Sequence, residues 1–303
     1  MTTSSLSSNC STSGASSLLC GCFRVLLLYG VAKAIDLPKV SEILGNRAIV
    51  GEPGFPRRTA EYIRFAQPPV IEKRAPLTLK IGEQVASWLK YHTFAVIAVE
   101  LEVPFACNWP QLQEQASRWM DVTDVEPLAR EMVEARLKEI AAAVVRPNPS
   151  WLNESYLIVN IQEIGTNGSG QPAASELLTA CGSEIVQLVR GEAAPLSEKA
   201  ITDALNASIS YYETDLVVIG SAAAIVYDRT DDAEATMSAL LSGIYTMLDR
   251  KRNFLLSRWT LPRDAQCINA IRLDVMDLTE RIDNAIKFLS DVYYALVYRR
   301  AAA

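Results

Sequence analysis

Two aspartates and three tyrosines around residue 220 form one group of side chains in this 303-residue sequence that could do chemistry. They are Tyr211, Tyr212, Asp215, Tyr227 and Asp228. The apolar stretch between the aspartates turns near Gly220-Ser221 and is typical of a β-hairpin in which glycine takes a positive φ. Convergent carboxylates and phenols at strand ends can line a small-ligand pocket. Strand-end tyrosines are also common packing residues with a solvated hydroxyl, and both interpretations stay open.

Hard oxygen ligands for a metal ion occur in the same region. Asp228, Asp231 and Asp232 are carboxylates of the kind that Mg²⁺ or Ca²⁺ uses, but no spaced Glu or Asn completes an EF-hand-like pattern. The alternative is a solvated turn followed by a helix cap. We therefore predict no metal site and no cofactor.

The remaining residue types disfavour most familiar enzyme classes. One histidine, His92, excludes zinc clusters built on histidine and HExxH proteases, and it leaves a Ser-His-Asp triad a single possible base. The six cysteines include no C-x-x-C pair, which is typical of reduced thiols in a cytoplasmic protein. A net charge of -6 argues against nucleic acid as a partner. These counts favour a protein without catalytic activity, although an enzyme is not excluded.

Periodicity predicts an α+β domain, with an antiparallel sheet covered by helices, over residues 20–230. We predict strands where apolar runs or alternation are bounded by turn residues, at 23–35, 93–103, 156–164 and in both arms of the 215–228 hairpin. We predict helices at 39–44, 109–120, 125–145, 175–190 and 197–208. Asp36, Asp124 and Ser197 are the expected N-caps, and Pro104 is expected to end the second strand.

The first 19 residues are rich in Ser and Thr and predict a disordered tail. They do not predict a signal peptide, because no Lys or Arg precedes Arg24. An uninterrupted apolar stretch of about 18 residues is missing from the sequence, so we expect no transmembrane helix in this chain.

Residues 231–303 predict an antiparallel helical hairpin with a coiled-coil seam. Apolar residues recur in alternating steps of three and four from Ile268 to Leu296, and a short connection at 260–263 joins this helix to the preceding one. Because the second helix is longer than its partner, its last turns are expected to expose apolar side chains. These residues are Leu289, Val292, Tyr293 and Leu296. Such stripes mark association surfaces, which predicts self-association or a protein partner.

Four segments of the chain resemble a family of uncharacterised bacterial proteins. They lie at 28–37 (LYGVAKAIDL), 188–197 (LVRGE, then LS), 210–218 (SYYETDLVV) and 283–293 (DNAIKF, then DVY). In layout the chain is similar, more remotely, to the "required for meiotic nuclear division" (sporulation) proteins, which carry an α+β domain, a helical tail and a C-terminal membrane anchor. This resemblance implies no chemical role for any residue. Because the chain stops after Arg299-Arg300, we expect a hairpin truncated before an anchor.

Two functions follow as expectations. The first is a non-catalytic scaffold or adaptor that acts through the helical hairpin. Its expected location is the cytoplasm, and association with a membrane surface is an additional expectation. The alternative is an enzyme or small-ligand-binding protein with a site near Asp215 and Asp228.

Overall fold

A long apolar strand lies at the centre of the sheet. In the computed structural model, which describes residues 18–50, 69–79, 83–165, 171–210, 213–228, 240, 241, 243, 244, 297 and 300, strand β1 spans Leu18–Ile35. It pairs antiparallel with β6 (Val96–Cys107) on one side and with β7 (Val144–Gly165) on the other. Its Leu and Val side chains suit a strand that is buried on both faces. The strand predicted at 23–35 is confirmed and begins earlier than expected.

The remaining strands extend the sheet on both sides of this centre. Their bounds are β2 Ala48–Val50, β3 Val70–Lys73, β4 Leu77–Thr78, β5 Gln84–Tyr91, β8 Asp215–Ile219 and β9 Ala223–Asp228. Over the described residues the strand order is β2-β3-β5-β6-β1-β7-β9-β8, and β4 pairs with β5 beside this path.

The sheet is mixed, which corrects our prediction of an antiparallel sheet. β9 pairs parallel to β7, from Leu157↔Ala223 to Ile161↔Tyr227, whereas the other pairings in the described ranges are antiparallel. After β7 the chain passes through two helices to the edge strand β8, and the hairpin then inserts β9 between β8 and β7. Long crossover connections of this kind are what parallel neighbours require. The strand patterns alone do not reveal which neighbour a strand joins.

The helices of the described region lie close to their predicted positions. Their bounds are α1 Leu37–Leu44, α2 Trp109–Met120, α3 Glu126–Glu139, α4 Ala174–Arg190 and α5 Glu198–Leu205. Two predicted caps are confirmed. The Asp36 side chain accepts a hydrogen bond from the backbone N–H of Lys39, and the Ser197 hydroxyl accepts one from that of Ala200.

Helix α3 differs from its prediction at both ends. Its N-cap is Val125, and Asp124 instead ends a preceding 3₁₀ turn. The helix ends at Glu139 and the chain enters β7 at Val144, because β-branched valines before Pro147 favour extended backbone.

Pro104 does not end β6, which continues to Cys107. The pairing between β5 and β6 ends at Glu102, so Pro104 has a ladder only with β1. A proline is tolerated in a strand where one side carries no ladder, because its missing N–H is then not needed.

The two faces of the sheet carry separate apolar clusters. On the first face, odd-numbered β1 residues such as Phe23 and Tyr29 pack against α1, α2, α3 and α4. On the second face, the even-numbered Leu26 and Leu28 pack with apolar residues of β6, β7, β8 and β9. The strand residues that the sequence predicts to be buried are confirmed as buried: Val96, Ile97, Val99, Leu157, Val159, Leu216 and Val218.

The predicted β8–β9 hairpin is confirmed, but Gly220 has a different role from the one expected. Its φ is not positive. A Cβ atom on Gly220 would lie 2.1 Å from the carbonyl oxygen of Val189, near the end of α4. The backbone N–H of Ala222 donates to the same oxygen at 3.1 Å. The turn therefore needs glycine because it packs directly on helix backbone.

Replacing Gly220 with alanine should destabilise the protein by about 3 kcal/mol, because a backbone carbonyl cannot move out of the way of the new methyl group. Gly165→Ala is the matched control, since its Cβ would lie no closer than 3.4 Å to its neighbours. That control should change the free energy of unfolding by about 0.5 kcal/mol or less. Urea denaturation of both variants checks this, and equal losses would show that the close approach at Gly220 is absent.

Candidate functional site

Asp215 and Asp228 lie directly opposite each other across β8 and β9. Alternation along the strands places both carboxylates on the second face, together with Val217 and Val226. Each aspartate is 2% exposed, and each makes interactions within the protein. Like charges at facing positions destabilise a strand pair unless neighbouring groups compensate them. Two of the five residues singled out from the sequence thus form a buried pair of acidic side chains on the second face.

Tyr227 is separated from these carboxylates by the sheet itself. Its side chain is buried on the first face, and its hydroxyl donates a hydrogen bond to the carbonyl oxygen of Pro172 at 2.9 Å. The other predicted site and association residues lie outside the described residues. They are Tyr211, Tyr212, Asp231, Asp232, Leu289, Val292, Tyr293 and Leu296.

A third buried carboxylate, Glu100, lies on the same face as the two aspartates. Arg24 Nη1 donates to Glu100 Oε1 at 3.1 Å, and the Lys90 ammonium contacts the other oxygen. Arg24 Nη2 also lies 3.4 Å from Glu102 Oε2. Burial by itself raises the pKa of Glu100, but the charges of Lys90 and Arg24 outweigh burial and hold this pKa below its usual value. Glu100 is therefore an ionised carboxylate held by cations from two neighbouring strands.

Cys22 and Asn160 lie beside this ion-pair cluster. Asn160 Nδ2 is 4.0 Å from Cys22 Sγ, and both residues are buried. Burial raises the pKa of the Cys22 thiol, although Arg24 opposes the effect. Cys22 is therefore a protonated thiol at neutral pH, which does not suit a nucleophile.

The first face contains a larger network around Glu72, which is fully buried. Glu72 Oε1 lies 3.1 Å from Arg74 Nη1 and 2.8 Å from Arg136 Nη2. The Tyr91 hydroxyl donates to Glu72 Oε2 at 2.8 Å. Arg136 also contacts Glu139 at the end of α3. The network therefore ties the C-terminal end of α3 to β3 and β5.

Neither of the two glutamate networks is among the sites that we predict from the sequence. The available signal is alternation: Glu72 is two residues from the buried Val70, and Glu100 is two residues from the buried Ala98. A carboxylate on the apolar face of a strand indicates a buried ion pair. Its partners come from other elements, and the sequence does not show which ones.

The described C-terminal residues pack on the second face. Leu240, Leu241, Ile244 and Val297 are helical, are at most 7% exposed, and belong to the same cluster as Leu26 and Leu28. Arg300 is exposed. These four apolar residues of the predicted hairpin are thus docked on the sheet, while most of the hairpin, including its seam from Ile268 to Leu296, lies outside the described residues.

Residues 20–234 match the family model described as "Uncharacterized protein MJ0711, N-terminal domain". The chain belongs to this family. Its MJ0711 N-terminal domain begins two residues into β1 and extends past β9, so it includes most of β1, all the later strands, Glu72, Glu100 and the aspartate pair. The expectation of an uncharacterised family is confirmed. No curated protein and no solved structure matches the chain.

No helix in the described ranges is long and apolar enough to cross a bilayer. No three or more His, Cys, Asp or Glu residues of that part of the chain are grouped so that they could hold a metal ion.

Removing the charge of Glu100 should cost much more stability than removing that of Glu102. Glu100→Gln leaves Arg24 and Lys90 without their buried counter-charge and should lower the free energy of unfolding by about 3 kcal/mol. Glu102→Gln removes a carboxylate that is 38% exposed and also contacts Arg24, and it should cost less than about 1 kcal/mol. Urea denaturation measures both values. Similar losses of unfolding free energy in the two variants would contradict the conclusion that Glu100 is the buried counter-charge of Arg24 and Lys90.

His92 should make the protein less stable in acid. Burial, and then the Lys90 charge, lower the pKa of His92 from 6.5 to about 3. Below pH 6.5, His92 therefore binds a proton in the unfolded chain but not in the folded chain. The free energy of unfolding thus decreases as the pH falls from 6.5 towards 3. The loss should be about 2 kcal/mol at pH 5. Unfolding curves between pH 7 and pH 5 test this, and His92→Phe, which keeps a ring beside Phe94, should show a shallower slope. Identical slopes would disprove it.

Proposed function

We propose that this protein is a non-catalytic scaffold or adaptor that acts through helices carried on the second face of its sheet. One observation supports the proposal most directly: Leu240, Leu241, Ile244 and Val297 are all buried against that face. The described residues before position 245 and after position 296 therefore pack on the same face of the body. This is the layout that an antiparallel helical hairpin would have.

The sequence of this stretch supplies the binding chemistry of the proposal. Its seam of apolar residues in steps of three and four, from Ile268 to Leu296, is a pattern that another helix recognises. The proposed association surface comprises Leu289, Val292, Tyr293 and Leu296. A second copy of the chain is the partner that we favour, because an identical seam is complementary to itself in a two-fold arrangement.

The proposal places the protein in the cytoplasm, with attachment to a membrane surface as an extension. The described cysteines support the first part, since Cys20, Cys22, Cys107 and Cys181 are all free thiols. The remoter similarity to the "required for meiotic nuclear division" proteins supports the second part, because those proteins end in a membrane anchor.

A second candidate function is small-ligand binding or catalysis near Asp215 and Asp228. The observation that favours it is the pair of facing, buried carboxylates, an arrangement that a cationic ligand would recognise. We place it second because both aspartates are 2% exposed, so a ligand would reach them only after the covering residues move.

The double substitution Leu289→Glu with Leu296→Glu should abolish self-association. Charges in a coiled-coil seam lose the apolar contacts and repel their copies in the partner. Sedimentation velocity of the full chain should show a concentration-dependent dimer or larger species, and the double variant should sediment as a monomer. The melting temperature of the body should stay within a few degrees, because residues 18–228 supply most of the two apolar clusters.

The matched control is Ile49→Glu with Val145→Glu, which places two charges at exposed apolar positions of the body. This variant should associate like the parent chain. A parent chain that is monomeric at every concentration, or a control that dissociates as completely as the test variant, would contradict self-association through the seam.

A further inference from the structure

The strand β7 carries an interruption that the sheet does not need. Its pairing with β1 passes from Leu152↔Gly30 to Pro147↔Ala32, so residues 148–151 stand opposite Val31 alone. Just before them, Arg146 has a φ of 50°, which is uncommon for a residue other than glycine. Bulges and strained residues cost stability and concentrate next to binding sites. The bulge therefore indicates a role other than sheet formation at this location.

The bulge is held firmly in place by three groups. Asn148 Nδ2 donates to the carbonyl oxygen of Gly30 at 3.0 Å. The Trp151 ring meets the buried Tyr29 edge-on, with centroids 6.0 Å apart. From the other side, the Arg130 guanidinium lies over the Trp151 ring at 5.2 Å. Trp151 is thus fixed between the first face of the sheet and helix α3.

A groove of about 360 Å³ opens between α3 and this bulge. This volume is within the range of small-molecule sites. Leu137, Pro149 and Trp151 supply its apolar surface, and Ser150 supplies a hydroxyl. Two cations, Arg130 and Lys138, line the groove together with Glu134. Its surface is therefore amphipathic.

The guanidinium of Arg130 is oriented so that it can bind an anion. Its Nε donates to Glu126 Oε1 at 3.2 Å, which fixes the guanidinium plane above Trp151. Its two Nη groups have no hydrogen-bond partner among the described residues. A guanidinium held in one plane, with two donors available, matches a carboxylate or a phosphate.

We propose that this groove binds a small organic anion, whose carboxylate or phosphate contacts Arg130 and whose apolar body lies against Trp151. Lys138 adds positive charge on the same helix, and the Ser150 hydroxyl offers a further hydrogen bond. The groove lies on the first face, across the sheet from the residues that carry the scaffold proposal. The failure of one proposal would therefore not contradict the other.

Phenyl phosphate is the probe for this site, and the Trp151 indole N–H resonance, assigned by its absence in Trp151→Phe, is the reporter. In the full-length chain, phenyl phosphate should shift this resonance saturably at millimolar concentration. Benzyl alcohol, which has the ring without the charge, should shift it far less. Arg130→Gln should weaken phenyl phosphate binding by about tenfold or more, as expected when a charge-assisted contact is lost.

The matched control is Arg118→Gln. Arg118 lies over Trp119 at the same 5.2 Å but is not among the residues that line the groove, so its removal should leave binding unchanged. If Arg130→Gln fails to fold, Arg130→Lys replaces it: this variant keeps the charge, loses the planar fork and should bind with intermediate affinity. A Trp151 resonance that does not respond to phenyl phosphate, or that responds equally to benzyl alcohol, would overturn the proposal.

Discussion

The antiparallel pairing of β1 with both of its neighbours is the interaction on which the rest of the structure depends. β1 pairs with β7 from Leu18 to Ile35, with register shifts after Cys20 and after Gly30, and it pairs with β6 from Leu19 to Gly30. Because successive side chains alternate, this one strand supplies apolar residues to the cores on both faces. A shift of one residue would exchange the two faces and place Arg24 in the helix-covered core. Every other feature of the molecule is positioned relative to this register.

Buried charges reinforce that register. Glu100 is held by Arg24 and Lys90 from the strands on either side of β6, so its ion pairs form only when β5, β6 and β1 are aligned as observed. Glu72 acts in the same way on the other face, where it joins β3 to helix α3 through Arg136. Such clusters add little net stability once desolvation is counted, but a misaligned sheet would leave a carboxylate buried without its partners. These ion pairs therefore mainly favour the observed strand register over misaligned registers.

The two faces are completed by different parts of the chain. Helices α1 to α4, which all lie within the MJ0711 N-terminal domain, cover the first face. On the second face, Leu240, Leu241, Ile244 and Val297 pack on the apolar cluster, and they lie beyond residue 234, where the family match ends. The domain therefore uses chain outside itself to bury part of its sheet. This packing links the fold of the body to the part of the chain that carries the proposed association surface.

The sequence by itself determined the helices and the long apolar strands with their burial, although it did not predict β2 or β5. Apolar runs identified β1, β6 and the β8–β9 hairpin, and Asp36 and Ser197 marked helix starts, because these signals are local and depend on period and capping alone. Tertiary structure decided which strands became neighbours. It made β9 parallel to β7, and it placed Asp215 and Asp228 on one face with Tyr227 on the other. It also brought Arg136 to Glu72 and Arg24 to Glu100, and it set Gly220 against Val189. These outcomes depend on contacts between residues far apart in the chain, whose pairing no local pattern records.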